Sequence, residues 1–95
     1  MPGARKPQSK RAPARTLSVY RDEYRSMIEL LKEIRLESGL KQEDVAAKLE
    51  VQQTFVSKIE IMDRRVDLIE LRDLCAVYGV PLAEFVTRLE TRLKT

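Results

Sequence analysis

From Val19 onward, apolar residues recur at steps of three and four, and no stretch alternates with the two-residue period of a strand. That pattern commits the chain to helices packed on helices. Tyr20, Tyr24, Met27, Ile28, Leu31 and Ile34 form the first stripe, with Ser18 placed to cap it. Gly39 stands where a left-handed residue would end it. Val45, Ala46 and Leu49 mark a second helix over 42–49, and Val56 and Ile59 a third from Gln53 to Ile59 or slightly beyond. Asp67-Leu-Ile-Glu70 is an acidic relative of the capping box. It opens a fourth helix that turns Leu68, Leu71, Leu74, Cys75 and Tyr78 inward and stops at Gly79. Pro81 suits the first position of a fifth, striped by Leu82, Phe85, Val86, Leu89 and Leu93. The expected fold is all-α, with five helices in one domain over 18–95.

Ninety-five residues, 43% hydrophobic and 35% charged, leave room for one small domain and none for a catalytic domain beside a regulatory one. The formal charge of +3 is unevenly placed. Arg5, Lys6, Lys10, Arg11 and Arg15 lie in the first sixteen residues with no acid among them, so the rest of the chain is net acidic. Three of the four prolines share that segment, and so little apolar surface cannot offset the entropy of ordering it. Residues 1–17 therefore read as a disordered basic arm. With no His, imidazole metal sites and His-based acid–base catalysis are excluded. The single Cys75 forms no intrachain disulfide and lies on an apolar stripe, so it reads as core. No nucleophile–base pair can be assembled, and the expectation is a protein that is not an enzyme and takes no metal or cofactor. No apolar run approaches the roughly 18 residues of a membrane span, and no hydrophobic stretch follows the basic start as in a secretory signal. A soluble, cytoplasmic protein without membrane association is expected.

Two short helices separated by about three residues are the geometry of a helix-turn-helix, whose second helix enters the DNA major groove. Residues 42–60 meet its requirements. Val45 and Leu49 face the second helix, Ala46 is small where the helices come closest, Val51 is an apolar plug in the turn, and Val56 and Ile59 point inward. The outward face is polar and hydrogen-bonding: Gln52, Gln53, Thr54, Ser57 and Lys58.

The run from Leu40 to Glu60 closely resembles the phage-repressor-like (Cro/Xre-type) helix-turn-helix family. The resemblance continues through Asp63-Arg-Arg-Val-Asp67 to Tyr78-Gly-Val80 and reaches back through Leu31-Lys-Glu-Ile-Arg35 to Gly39. It implies a lambda-repressor-like domain in a bacterial or phage-type, nucleoid-associated regulator that binds double-stranded DNA. Gln42 matches the family's phosphate-contacting glutamine, and a helix N-terminus favours an anion there in any case. Gln53 and Thr54 match the first base-reading positions; a Gln amide can pair with adenine N6 and N7 together, which makes Gln53 the leading specificity residue. Ser57 and Lys58, one turn on, would reach bases or backbone. Phe55 would either touch a thymine methyl or pack at the helix edge. Gln52, Arg64, Arg65, Arg11 and Arg15 are the remaining candidates for backbone contacts. Arg35 and Glu60 match a pair that forms a buried ion pair in this family, and Arg35 does interrupt an apolar face.

The departures from the family are Glu50 for the usual turn Gly, Lys41 and Gln52 for the usual hydroxyl caps, and Ile61-Met62 for the usual Arg-Gly. The last exposes two apolar side chains. The helix over 81–94 would serve as a homodimer face through Phe85, Leu89 and Leu93, matching a palindromic operator. The basic arm would either contact phosphates or act as a solubilising tail. Two functional classes stay open. One is a sequence-specific, repressor-like transcriptional regulator. The other is a protein-interaction module or antitoxin-type component with weak or no specific DNA binding, with Ile61 and Met62 in a protein-partner surface.

Overall fold

A computed structural model describes the backbone of residues 13–94 and the side chains from Arg21 onward. The element order is α1 (Pro13–Ser38), α2 (Gln42–Leu49), α3 (Gln53–Glu60), α4 (Leu68–Tyr78) and α5 (Leu82–Lys94), with no strand among the described residues. Helix α1 is longer than its apolar stripe predicts. It already includes Pro13, so Ser18 lies inside the helix and is not its cap, and the span expected as arm is helical over 13–17. A proline is tolerated in a first helical turn because its missing N–H is unsatisfied there anyway. Residues 1–12, with Arg5, Lys6, Lys10 and Arg11, lie outside the described residues, and so do the side chains of Arg15 and Tyr20.

The ends of the helices follow from local chemistry. Gly39 (φ +81°) ends α1 and Gly79 (φ +80°) ends α4, both left-handed. Helix α2 ends on Glu50 at φ 59°, ψ 44°, and its amide and that of Val51 return to Ala47 and Ala46. A side chain at such a φ costs about 1 kcal/mol relative to glycine. Met62, at φ +64°, is the second non-glycine residue in this region. At α4, Asp67 Oδ1 accepts from the Glu70 amide (2.7 Å) and Glu70 Oε1 from the Asp67 amide (3.1 Å), a reciprocal cap. The weak caps behave as such. The Lys41 ammonium has nothing to accept with, and only the Asp44 carboxylate closes that end of α2, on the Lys41 amide (2.9 Å). Gln52 makes no side-chain cap bond. Pro81 precedes α5, and its carbonyl accepts the helix's first bond from Phe85, so the helix begins one residue later than expected.

The core lies where all five helices meet. Ile28, Leu30, Leu31 and Ile34 of α1 face Val45, Ala46, Val56 and Ile59 of the short helices and Leu71, Leu74, Cys75 and Tyr78 of α4. Phe85, fully buried at 0% exposure, is the one residue of α5 that penetrates to the centre. This corrects its expected place on a dimer face: a ring with no accessible surface cannot meet a second chain. Five further expectations change. Leu68 is 62% exposed, because capping by Asp67 starts α4 with Leu68 in its outward first turn. Val51 and Val86 are exposed, and Leu30 is buried although it lies off the expected stripe. Met62 is half-buried against the core, whereas Ile61 beside it is 69% exposed, so only one of the two is a free apolar surface.

Burial pushes the Cys75 thiol up to about 11 and raises the Tyr78 phenol by the same desolvation, so both stay neutral at ordinary pH. Outside the core, Arg92 reaches Glu33 (2.7 Å) and Arg88 reaches Glu37 (3.6 Å), binding α5 along α1. Exposed pairs of this kind contribute about 0–1 kcal/mol each.

Candidate nucleic-acid interface

Helices α2 and α3 pack against each other through Val45, Ala46, Val56 and Ile59, which leaves Gln52, Gln53, Thr54 and Lys58 on the outer face of α3. Beneath that face runs a chain of polar contacts. Arg35 Nε donates to Glu60 Oε2 (2.6 Å) and its Nη2 to Oε1 (3.0 Å), while Nη1 donates to the Leu40 carbonyl (2.8 Å). Both side chains are nearly closed to solvent, at 8% and 3% exposure. The Arg35 pKa is raised further above its ordinary value by the hydrogen bond to Glu60. Gln42 Nε2 also donates to Glu60 Oε1 (2.8 Å), and Gln42 Oε1 accepts from Gln53 Nε2 (3.4 Å).

Donor–acceptor logic gives this chain a direction. An ionised carboxylate only accepts, so the Gln42 amide must turn its nitrogen to Glu60 and its oxygen outward. The outward oxygen accepts only from the nitrogen side of the Gln53 amide. Gln53 is therefore held at the surface with its polarity set, one amide proton and the carbonyl oxygen still available. The buried pair thus orients a side chain two hydrogen bonds away. Gln42 keeps one amide proton of its own at the N-terminus of α2.

The other expected contacts divide. Thr54 and Lys58 are exposed; Ser57 is half-buried, and its hydroxyl donates back to the Thr54 carbonyl (3.3 Å). Phe55 is half-buried against the core, with the Arg64 guanidinium 4.5 Å above its ring. Of its two sequence-level readings, this geometry is the helix-edge packing one. Arg64 also forks both Glu70 oxygens at 2.9 Å, which commits a cation expected to meet phosphate to an intramolecular clamp. The Arg65 guanidinium lies 4.2 Å over the Tyr24 ring, whose hydroxyl accepts from the Val66 amide (3.1 Å). The loop after α3 is therefore tied to both α4 and α1. Sequence reasoning missed the Arg64–Glu70 fork because six residues of loop and helix start carry no periodic signal. Leu89 is half-buried and Leu93 partly exposed on α5, where both line one groove with Tyr24 and Arg65.

The fork makes acid sensitivity predictable. Arg64 holds the Glu70 carboxyl below its ordinary value by hydrogen bonding, against a smaller opposing effect of desolvation. A carboxylate depressed in the folded state contributes stability above its unfolded pKa, near 4.5, and loses it as pH falls through its lower folded value. Melting temperature should fall more steeply below pH 4.5 in wild type than in Glu70→Gln, with the pH dependence of that difference flat between pH 6 and 8. Parallel curves for the two proteins through the acid range would show that the fork contributes nothing.

This arrangement of two short helices at a close crossing, the second with a polar outer face, defines a helix-turn-helix protein. A helix-turn-helix family model matches residues 31–85. An XRE-family like protein from Pseudomonas syringae pv. tomato str. DC3000 superposes with a TM-score of 0.78 at 35% identity, over 81% of this chain and 94% of that one. A comparison with curated proteins returns no match. The chain belongs to the Cro/Xre-type helix-turn-helix family, a family of DNA-binding regulators. No helix among the described residues is long and apolar enough to cross a membrane.

Proposed function

We propose that the protein is a homodimeric, sequence-specific transcriptional regulator of repressor type, with α3 in the major groove of double-stranded DNA. The observation that carries this reading is the oriented Gln53 amide. A glutamine reads adenine by donating to N7 and accepting from N6, and the chain from Arg35 through Glu60 and Gln42 leaves one donor and one acceptor free on Gln53. Thr54 and Lys58 stand beside it, and the phosphate contacts are assigned to Gln42 and Gln52 next to it and to Arg65 in the loop after α3. Arg64 contributes by positioning the loop. The folded part is net acidic, so the basic N-terminal residues, Arg11 and Arg15 among them, supply the nonspecific attraction.

Selection of bound duplexes from a random library at near-physiological salt tests this. An enriched, roughly palindromic motif is expected. On that motif, Gln53→Ala should lose about 1–3 kcal/mol of discrimination at one base pair of each half-site, roughly 5- to 150-fold, with other positions unchanged. No enrichment, with binding that vanishes as salt rises, would overturn the regulator reading. It would turn attention to a protein partner at the exposed Ile61.

A further inference from the structure

Where α1 runs beside the loop after α3, Arg21, Tyr24, Arg25, Met62 and Arg65 line an open pocket of about 220 Å³. Three of the five are arginines and none is a carboxylate; Glu23 and Asp67 line the neighbouring apolar groove instead. Arg21 and Arg25 stand four residues apart on α1, so they share a face, and both are exposed. Neither makes an ion pair among the described residues, whereas Arg35, Arg64, Arg88 and Arg92 each hold a carboxylate. Like charges at that spacing repel and cost a helix stability. Arg65 adds a third positive charge at a set position, stacked 4.2 Å over the Tyr24 ring, whose hydroxyl accepts from the Val66 amide. A pocket that gathers cations with no acid to offset them is complementary to an anion.

We propose that this pocket binds a phosphate of the DNA backbone, so that the first half of α1, outside the helix-turn-helix, is a second DNA-contacting element. The inference rests on the DNA-binding part of the proposed function and extends it to Arg21 and Arg25. Two observations select a backbone phosphate as the anion. The first is location. Met62 follows the end of α3 by two residues, and the Arg64 guanidinium lies over the ring of Phe55, next to Thr54 in the first turn of α3. The loop that carries Arg65 thus returns along α3 toward the candidate DNA face, and a duplex seated there brings one charge per about 1.7 Å of its axis.

The second observation is exposure. The three arginines are open to solvent, so water and salt screen them from a lone small anion. A phosphate fixed to a duplex that α3 already holds arrives at high effective concentration and needs little affinity of its own. The contact is to a charge and not to a base edge, so it adds affinity without sequence preference. The Arg64–Glu70 fork then has a use at this site as well: it ties the loop that keeps Arg65 beside α1.

Fluorescence anisotropy of the full chain with its selected duplex and with a random-sequence duplex, across a range of salt concentrations, tests the site. Arg21→Gln with Arg25→Gln should weaken binding to both duplexes by the same factor, at least about 5-fold near physiological salt, and lower the slope of log affinity against log salt by about 1. Its melting temperature should match or slightly exceed that of wild type, since two exposed like charges are removed. Arg72→Gln with Lys94→Gln removes the same charge from exposed positions off the pocket and should weaken binding less than about 2-fold. Unchanged affinity and slope in the α1 variant, an equal loss in the control, or a lowered melting temperature overturns the site and leaves the regulator reading standing. A wild type that binds neither duplex overturns both. Without an enriched motif the random duplex alone carries the test, so the two readings fail separately. Saturable binding of inorganic phosphate with a Kd below about 1 mM, lost in the α1 variant, would give the pocket to a free phosphate ligand and overturn the backbone assignment.

Discussion

Arg35→Ala is expected to lower the melting temperature by at least about 12 °C. Removing one partner of a buried ion pair leaves the other charge uncompensated, at about 3–5 kcal/mol, and in a domain of this size each kcal/mol corresponds to about 4–8 °C. Glu60 would be the stranded charge, at 3% side-chain exposure and with only the Gln42 amide left as a donor. The Leu40 carbonyl would lose its donor at the same time. Replacing both members by apolar residues of similar volume, as in Arg35→Met with Glu60→Leu, should recover much of the loss, because buried pairs and well-packed apolar pairs often break even. That double variant has a second use: it frees the Gln42 amide to turn over. A stable fold with relaxed base preference is therefore expected from it, read in the same duplex selection as Gln53→Ala. A melting temperature for Arg35→Ala within a few degrees of wild type would show that water reaches the pair.

Phe85→Ala should destabilise the domain by about 3–5 kcal/mol, as expected when a large aromatic leaves a closed core. Its ring has no accessible surface, and it is the anchor that brings α5 against the centre of the domain. Without it, α5 keeps half-buried leucines and the surface contacts of Arg88 and Arg92 with α1. Chemical denaturation of Phe85→Ala beside Val86→Ala gives the contrast directly. Val86 is exposed, and its truncation should change stability by less than about 0.5 kcal/mol. Similar losses for the two variants would mean that α5 is packed in a different rotation.

The oriented glutamine and the buried pair belong to one hydrogen-bonded chain, so the proposed function links stability to base preference. The acid at position 60 satisfies Arg35 on one side and sets the Gln42 amide on the other. A substitution there is expected to reach both the fold and the candidate DNA face, whereas Gln53→Ala should reach only the latter.

Much of this was legible in the residues. The period of three and four, punctuated by Gly39, Gly79 and the Asp67–Glu70 cap, determined the number of helices and most of their limits, because helix ends obey local rules of φ and hydrogen bonding. The polar residues outside Val56 and Ile59 marked the candidate DNA face for the same reason: on a short helix, spacing decides which side a residue occupies. What only the tertiary structure decided was which members of each stripe are covered. Phe85 and Val86 are neighbours of like character, yet one is the centre of the core and the other is exposed. Leu68 belongs to the α4 stripe but falls in a first turn that nothing covers. Arg64, a plausible phosphate contact by composition, is tied instead to Glu70 and Phe55, which lie on other elements. Burial and polar pairing depend on what another part of the chain brings to a surface, and a periodic pattern carries the direction of a side chain without naming what it meets.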